Sequence, residues 1–476
     1  MTALRAACAA LVLATLAVAV RPAPAGSEAT AAADAAKSER LNLIFVTVDT
    51  LRADHLGFAG YPRDTSPNLD RLAKEGVWFS RVYSHSATTG AAHASLFTSL
   101  PPREHGVTAN SQPFPDKPSL MRALGERGWY TAGFVSSFVM SRKSKVQHHF
   151  DHFDDELTTP EPNRRTRYER PAEQTVDAAL AALDARPKDK PFFFWLHLID
   201  PHGPYAAPVD PDRYVGDAHY GKIGKQIPIG TTDWEHYKIP RYQVLDGRTD
   251  ADYYVARYDA EIRYMDGALG RLFEELRKRG LDRNTVIAVT ADHGETLAEP
   301  GHQRYFSHGA ITYEETVRIP LVIREPGEQR LARVDRDQPV SSLDVAPTLL
   351  ALLGVPAPET FRGRNLLTAE PQPDAPMYSL GGYGTDNLEK NVGTQFSVRK
   401  GPLRYIVNTK DGSEELYDHR TDPGETRNLI AQPPVSLAEL RAGLDAAVGE
   451  RNVARAEPPP PSADHAAALR ALGYVE

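Results

Sequence analysis

Three apolar stretches of the chain share one design, a continuous run of β-branched and aromatic residues that ends in an acidic residue. They are LNLIFVTVD (residues 41–49), KPFFFWLHLID (190–200) and NTVIAVTAD (284–292). Runs that do not alternate between apolar and polar positions are typical of strands buried on both faces of a parallel sheet. The pattern therefore predicts such strands, with Asp49, Asp200 and Asp292 at their carboxyl ends.

Stretches with helical periodicity lie between these runs. They are SPNLDRLAKEG (66–76), SLMRALGERG (119–128) and ADYYVARYDAEIRYMDGALGRLFEELRKRG (251–280). Strands that alternate with helices predict an α/β fold, with a doubly wound, mixed or parallel sheet flanked by helices. In such sheets ligands bind outside the carboxyl ends of the strands, so a site is expected around Asp49, Asp200, Asp292 and His293.

The composition changes near residue 370, at TAEPQPDAP (368–376). The stretch that follows alternates between apolar and polar positions, which is typical of a small antiparallel sheet. We therefore predict a catalytic domain at 41–368, a smaller C-terminal α+β subdomain with its antiparallel sheet at 369–430, and a helical tail at 431–476 that contains the spacer PPPP.

The first 25 residues have the features of a secretory signal peptide. A basic start precedes the apolar centre AACAALVLATLAVAV, and the small residues APA follow at 23–25. We predict cleavage there, a polar linker at 26–40, and an exported protein, periplasmic or extracellular, without a membrane span; an uncleaved anchor is the alternative. Cys8 is the only cysteine, so the mature chain would contain no disulfide.

The charge pattern argues against a nucleic-acid partner. The net charge is −8, and basic and acidic residues are mixed along the chain, without the basic stripe that nucleic acid requires. The most basic stretch, EPNRRTRYERP (161–171), is expected to be a solvated loop. Oligomeric state cannot be read from the pattern.

Carboxylates and an imidazole at the predicted strand ends indicate a metal site. Asp49 ends one strand, and the adjacent pair Asp292 and His293 ends another. Each residue alone is as consistent with a cap on a neighbouring helix, whereas the combination favours a divalent cation. Oxygen ligands suit calcium, and the histidine favours zinc or manganese.

The stretch SATTGAAHASLF (86–97) places two threonines and a glycine before a short apolar run. It predicts a helix that begins at the threonines, where unpaired backbone N–H groups favour an anion. A threonine there can simply cap the helix. Beside a metal ion, however, its hydroxyl can lose its proton and become a nucleophile.

Taken with their order along the chain, several motifs resemble the sulfatase family within the alkaline phosphatase superfamily. They are VTVDTLRADHLGFAGYPRDTSPNLDRLAKEGVWF, ASLFTSLPPREHGV, DPHGPY, VTADHGETL and ELYDHRTDPGETRNL. The resemblance implies an α/β core with a smaller C-terminal sheet domain, a bound divalent metal ion and ester hydrolysis. It also implies a metal site formed by Asp49, Thr89, Asp292 and His293.

The central signature departs from the family pattern. The family has Cys or Ser followed by x-Pro-Ser-Arg, and the Cys or Ser is converted to formylglycine; in that register Thr89 stands here, and His93 replaces the Arg. Threonine does not undergo that conversion. Thr50 replaces the second residue of an Asp-Asp pair, and VSSF replaces a Gly-Lys-Trp-His segment that holds sulfate. The resemblance thus selects Thr89 over Thr88 as nucleophile, with His93 among the catalytic candidates.

The same comparison implies roles for three further histidines. His202 in DPHGPY matches a position that contacts the anionic group or protonates the leaving oxygen, and His308 lies near a lysine position of the family. His302 is the alternative to His308. Asp200, His202 and one of these loop histidines are also candidates for a second metal site.

A threonine ester cannot expel its group by reforming an aldehyde, as a formylglycine hydrate does. Water must attack the sulfur or phosphorus instead, which phosphoryl transfer permits readily. We therefore expect hydrolysis of phosphate or phosphonate esters, in a small-molecule, glycan or lipid substrate. The alternatives are a sulfatase without formylglycine, a phosphoryl-type transferase, and an inactive binding protein on the same fold.

Overall fold

The structure is a computed structural model that describes residues 40–206, 208–209, 214, 223–233, 235, 237–327, 329–381, 394–433 and 437–448. The predicted signal peptide, nearly all of the linker and the PPPP spacer lie outside these residues. Among the described helices, none is long and apolar enough to cross a membrane.

The strands and helices follow one another as the apolar patterns predict. The strands are β1 (Asn42–Val48), β2 (Val77–Trp78), β3 (Arg81–Tyr83), β4 (Tyr130–Val135), β5 (His152–Asp154), β6 (Thr159–Pro160), β7 (Tyr168–Glu169), β8 (Phe192–Leu198), β9 (Thr285–Ala291), β10 (Arg318–Ile319), β11 (Leu321–Arg324), β12 (Pro339–Ser341), β13 (Met377–Leu380), β14 (Gln395–Lys400), β15 (Leu403–Asn408) and β16 (Glu414–Asp418). The α-helices are α1 (Pro67–Glu75), α2 (Thr89–Thr98), α3 (Pro102–His105), α4 (Leu120–Glu126), α5 (Ala172–Ala185), α6 (Ala251–Lys278), α7 (Glu314–Val317), α8 (Val345–Leu352) and α9 (Ala438–Val448).

The main sheet has the strand order β2-β11-β9-β1-β8-β4-β5 within the described residues. Strands β9, β1, β8, β4 and β5 run parallel, and β11 runs antiparallel to β9 and β2. The predicted α/β class with a mixed sheet is therefore confirmed. Because β1 lies between β8 and β9, the carboxyl ends of the three apolar runs meet at one edge of the sheet.

Helices cover both faces of this sheet. Every residue of β1 is buried, and Phe45 makes an edge-on contact with Phe97 of α2, with ring centroids 5.8 Å apart. Successive side chains of a strand point to opposite faces, so Ile44 and Val46 need a second layer on the other side. Helix α6 packs against both α1 and α5, and these three helices form a second group distinct from α2, α4 and α8.

A second, antiparallel sheet in the order β13-β14-β15-β16 follows the main domain. Its core includes Phe396, Tyr405 and Leu416, and α9 adds Leu440 and Leu444. The predicted C-terminal sheet is therefore present, and the observed helix packs on it. The exact domain boundaries at 368 and 430 stay predictions.

The C-terminal sheet is tied to the segment that leads into α2. The backbone N–H of Ala87 donates to the carbonyl of Leu380 in β13 at 3.3 Å, and the N–H of Leu380 donates to the carbonyl of His85 at 3.0 Å. Two residues after Ala87 comes Thr89, the first residue of α2. Strand β13 thus holds the loop that presents the threonines.

Candidate metal and nucleophile site

Asp49 and Asp292 directly follow the neighbouring parallel strands β1 and β9, and they lie side by side at the carboxyl edge of the sheet. In the parallel register of β1 and β9, Val48 lies opposite Ala291, so the residue after each is an aspartate at the same edge. One ligand atom from each of Asp49, Asp292 and His293 lies within 4.8 Å of the other two. The structure thus brings together three residues that the sequence predicts as metal ligands.

The ring of His293 is oriented for coordination. Its Nδ1 lies 3.0 Å from the carbonyl oxygen of Gly294, to which it donates as the N–H tautomer. Its Nε2 lies 3.4 Å from Oδ2 of Asp292 and 3.7 Å from Oδ1 of Asp49. Burial lowers the pKa of His293 to about 4, so the ring is neutral at neutral pH and Nε2 keeps the lone pair that a metal ion needs.

The site has the chemistry that a divalent cation requires. Oδ1 of Asp49 and Oδ2 of Asp292 are buried, and within the described residues neither has a hydrogen-bond partner. Burial, together with the charge of Asp292, raises the pKa of Asp49. Two buried carboxylates with unmatched oxygens are costly unless a cation compensates them. A set of two carboxylates, one imidazole and a hydroxyl fits zinc or manganese.

Thr89 is the threonine that faces this cluster. It begins α2, and its Oγ1 lies 3.4 Å from Nε2 of His293. A hydrogen bond from Thr89 to Asp49 opposes the raised pKa of that carboxyl group. Thr88 is the N-cap residue, but its side chain makes no capping hydrogen bond.

The N–H of Gly90, expected to be open to an anion, instead donates to Oδ1 of Asn110 at 2.8 Å.

Backbone groups hold the acidic turn in place. The N–H of Thr50 donates to Oδ1 of Asp292 at 3.3 Å, and Thr50 adopts a left-handed backbone with φ of 58°. Gly294 passes so close to the chain beside it that a Cβ atom there would lie 1.9 Å from the carbonyl oxygen of Glu315. Only glycine allows this approach, which fixes the turn that carries Asp292 and His293.

His93 lies behind Thr89 and outside the residues that line the pocket. Its Nδ1 donates to the carbonyl of Thr89 at 2.8 Å, its Nε2 lies 2.8 Å from Oγ1 of Thr47, and the ring is fully buried. Nδ1 also lies 3.7 Å from Oδ2 of Asp292. These contacts suit a residue that positions Thr89 and Asp292, and its predicted catalytic part stays a prediction.

His202 and His308 face the pocket beside the cluster. The ring centroid of His308 lies 4.7 Å from that of His293 and 5.0 Å from that of His202. Nδ1 of His202 lies 2.7 Å from the carbonyl of Gly203, and Nδ1 of His308 lies 3.3 Å from Oε1 of the buried Glu295. Each ring is therefore held through Nδ1, which leaves Nε2 for a ligand or a substrate.

Asp200 and His302 make contacts elsewhere. Oδ2 of Asp200 accepts a hydrogen bond from the N–H of Ala172 at the start of α5, at 2.8 Å. His302 pairs with Glu315 at 2.7 Å and stacks on Tyr313 with centroids 3.8 Å apart. Within the described residues these two do not gather with His202 into a ligand cluster, so the second metal site gains no support from their placement.

A pocket with a cavity volume of about 90 Å³, partly open to solvent, leads to Thr89 and Asp49. Its other walls are formed by Asn110, Ser137, Phe138, Val139, Glu161, Arg164, Arg167, Tyr168, Glu169, Ile199, His202, Asp233, Tyr242, Ser307 and His308. The expectation of a solvated loop at 161–171 was wrong in part. The segment connects β6 to β7 and contains β7, and Arg165 is exposed, but Glu161 and Arg167 are only 5% and 3% exposed.

Sequence reasoning also missed three polar residues at the site. Asn110, Glu295 and His197 each contact or adjoin the predicted site residues. His197 lies inside the apolar run of β8, where the pattern indicates only core. Glu295 directly follows the Asp-His-Gly turn at the end of β9. Of the three residues, it is the only one that its position at a strand end could have predicted.

Comparisons with known proteins assign the chain to a family. The family model described as Sulfatase matches residues 41–355, and the model described as N-sulphoglucosamine sulphohydrolase, C-terminal, matches residues 301–451. The uncharacterized sulfatase YidJ of Escherichia coli (strain K12) is 27% identical over 446 residues, which cover 85% of this chain and 86% of that protein.

Solved structures show the same fold. The putative sulfatase yidJ from Bacteroides fragilis gives a TM-score of 0.67 at 20% identity and covers 87% of this chain and 96% of its own. The phosphonate monoester hydrolase of Agrobacterium radiobacter gives a TM-score of 0.65 at 20% identity, with 86% and 95% covered. Because the Sulfatase model spans more than half of the sequence, this chain belongs to the sulfatase family of ester hydrolases.

Proposed function

We propose that this protein is an exported, metal-dependent hydrolase of phosphate or phosphonate esters, with unmodified Thr89 as its nucleophile. The observation that carries the proposal is the position of Thr89, whose Oγ1 lies 3.4 Å from Nε2 of His293. Beside it are Oδ1 of Asp49 and Oδ2 of Asp292, which have no hydrogen-bond partner in the part of the chain that the structure describes. A hydroxyl in this position is the one that a bound cation can activate.

Asp49, Thr89, Asp292 and His293 would hold the ion, and zinc or manganese suits their donor atoms best. A bound divalent cation lowers the pKa of a neighbouring hydroxyl and offsets charge on the transferred group. The protein's own part is to keep Thr89 at the start of α2. There Gly90 and Asn110 fix the first turn.

The reaction has two displacements at phosphorus. In the first, Oγ1 of Thr89 forms a bond to phosphorus and releases its proton to bulk water, while the bond to the alcohol oxygen breaks and a proton donor in the pocket protonates that oxygen. In the second, water forms a bond to the phosphorus of the threonine ester and gives its proton to the same pocket residue, now deprotonated. The bond to Oγ1 then breaks, and Oγ1 regains a proton from bulk water. Threonine offers no aldehyde to reform, so the second displacement is required, and phosphorus allows it more readily than sulfur.

A proton donor for the leaving oxygen must face the pocket. His202 and His308 both line it together with Thr89. We assign His308 this role because Glu295 fixes its Nδ1 and leaves Nε2 for the substrate. His202, 5.0 Å from His308 between ring centroids, then lies beside the group that is being transferred.

Sulfate ester hydrolysis without formylglycine is the second candidate. It is favoured by the relatives, which include proteins named as sulfatases, such as an ulvan-active sulfatase of Formosa agariphila, 24% identical over 86% of this chain and 80% of its own length. The phosphonate monoester hydrolase with the same fold supports the first candidate. A transferase would differ only in the acceptor, which would be an alcohol in place of water.

The test compares the two threonines on a substrate panel. The panel contains a p-nitrophenyl phosphate monoester, a diester, a phenylphosphonate monoester and a sulfate ester. Thr89→Ala should lose about 10³-fold or more of kcat/KM on the best substrate. Thr89→Ser should keep a measurable part, since its hydroxyl remains. Thr88→Ala is the matched control and should stay within about tenfold of wild type.

The same experiment separates the alternatives. Peptide mapping by mass spectrometry, after a reaction with the phosphate monoester is rapidly quenched, should find one phosphoryl group on the peptide that contains Thr89. A Thr89→Ala protein with wild-type turnover would overturn the mechanism. Preference for the sulfate ester would favour the second candidate, and product yields that depend on added alcohol would indicate a transferase.

A further inference from the structure

His197 is a buried histidine for which the proposed mechanism has no role so far. It lies in β8, opposite Thr47 of β1 and Val135 of β4, and is 0% exposed. Neither ring nitrogen has a hydrogen-bond partner within the described residues. Buried polar groups are almost always hydrogen-bonded, and one without a partner calls for an explanation.

The polar group that faces His197 is the carboxylate of Asp49. Nε2 of His197 lies 3.7 Å from Oδ2 of Asp49, while Oδ1 of the same carboxylate lies 3.7 Å from Nε2 of His293. The two oxygens of Asp49 are thus divided between two imidazoles. Oδ1 lies on the side of His293 and Oδ2 on the side of His197, and the hydroxyl of Thr89 also bonds to this carboxylate.

The other neighbours of His197 already use their polar atoms. The ring of His93, 5.0 Å away between centroids, is bound to Thr47 and to the carbonyl of Thr89. The indole N–H of Trp195 donates to Oγ1 of Thr47 at 2.9 Å. His197 is also outside the set of residues whose ligand atoms lie within 4.8 Å of one another. It therefore sits behind the metal ligands and is not one of them.

We propose that His197 is a positioning residue of the metal site, whose Nε2–H donates to Oδ2 of Asp49 and so presents Oδ1 to the ion. This inference rests on the proposed metal site. The present separation exceeds a hydrogen bond, so the carboxylate or the ring moves by about 1 Å when the site is loaded. A residue that hydrogen-bonds to a metal ligand, but does not bind the ion itself, commonly strengthens metal binding, and its mutation lowers the affinity.

Thr50, the residue after Asp49, explains why Asp49 needs another group to fix the orientation of its carboxylate. The family resemblance places a second aspartate where this chain has Thr50, whose Oγ1 has no partner within the described residues. Asp49 therefore lacks that neighbouring carboxylate as a fellow ligand. A donor on its outer oxygen fixes the orientation that a second carboxylate would otherwise share.

The experiment measures metal affinity, not turnover. EDTA-treated wild type, His197→Phe, His197→Gln and His197→Asn are titrated with Zn²⁺ and Mn²⁺ by calorimetry. Gln carries an amide nitrogen near the place of Nε2, whereas the nitrogen of Asn falls near Nδ1. We expect His197→Phe and His197→Asn to bind about 10- to 100-fold more weakly than wild type, and His197→Gln to recover most of the loss.

His149→Phe is the matched control, because His149 is buried and bonded to Ser119 at 3.1 Å, outside the site. It should bind metal as wild type does. Wild-type affinity in His197→Phe would overturn the proposal. If that variant does not fold, the Gln and Asn pair decides, and equal affinities in the two would overturn it. A wild-type protein that binds neither ion would overturn the metal site itself, and this proposal with it.

Discussion

Oε1 of Glu295 lies 3.3 Å from Nδ1 of His308, and the carboxylate is fully buried while the imidazole lines the pocket. The chain contains a second pair of the same kind, in which Oε1 of Glu315 lies 2.7 Å from Nδ1 of His302. The second pair lies away from the pocket. Comparing the two pairs separates an effect on proton transfer from an effect on packing.

Glu295→Gln should lower kcat by about 10- to 100-fold, because His308 loses the carboxylate oxygen that orients its ring towards the substrate. The loss should be larger for alkyl esters than for p-nitrophenyl esters, since a poor leaving group needs the proton more. Steady-state rates on a series of leaving groups measure this. Glu315→Gln should lower the Tm and leave kcat nearly unchanged; equal losses in both variants would contradict the assignment.

Asp292→Ala should lose its metal. The variant removes one of two buried carboxylates, so we expect affinity for Zn²⁺ or Mn²⁺ to fall by at least about 100-fold. The measurement is elemental analysis after dialysis, with Asp200→Asn as control, because Asp200 ends a strand but binds the N–H of Ala172. At about 100 times its Kd the ion should stabilise wild type by roughly 2.7 kcal/mol. Equal metal content in Asp292→Ala and wild type would contradict the ligand set.

Stability should fall at alkaline pH because of His302. Burial alone lowers the pKa of His302, but the ion pair with Glu315 outweighs it and raises the pKa from its ordinary value of 6.5 to about 9. Because the pKa of His302 is higher in the folded state than in the unfolded state, the ion pair stabilises the fold fully at a pH below the unfolded-state pKa of 6.5. This stabilisation is lost as the pH rises through the folded-state pKa of about 9. The contribution of this ion pair to the free energy of unfolding is at most about 3.4 kcal/mol.

Urea unfolding of wild type and His302→Gln checks this. The free energy of unfolding of the two proteins should differ most near pH 6 and converge by about pH 10. A constant difference across that range would show that the pair does not titrate as stated.

Arg164→Ala should raise KM by about tenfold with kcat within about twofold of wild type. The guanidinium of Arg164 lies over the ring of Tyr242, 4.0 Å from its centroid, and lines the pocket that contains Thr89. We expect it to hold the non-reacting part of an anionic ester. The exposed Arg165 on the same hairpin is the control, and an equal rise in KM for Arg165→Ala would assign the effect to overall charge.

The apolar runs were sufficient to predict the sheet and the edge where the site lies. A continuous apolar run of this kind is typical of a strand buried on both faces, so the sequence predicts where each strand ends. It therefore predicts Asp49 and Asp292 at the carboxyl edge of the sheet, where the structure also has them. The position of an acidic residue at the end of a buried strand also predicts Asp200 as a site residue. The pattern shows where its side chain leaves the strand, but it does not show in which direction the side chain points. Asp200 turns towards the start of α5.

Other residues could not be predicted because their role depends on distant partners. His197 lies within an apolar run, and only the pairing of β8 with β1 brings it 3.7 Å from Asp49. The β6–β7 hairpin pairs just two residues from each strand. Strands that short leave no periodic pattern, and the charges between them are typical of a loop.

The hydrogen bonds between Leu380 and the segment before Thr89 have a consequence for biosynthesis. The loop that carries the threonines is held by a strand about 290 residues further along the chain. A chain still emerging from the ribosome, or one truncated before residue 377, contains all of the predicted metal ligands and yet lacks the strand that fixes Thr89. Chains that end before this strand should therefore have no hydrolase activity, wherever in the cell they fold.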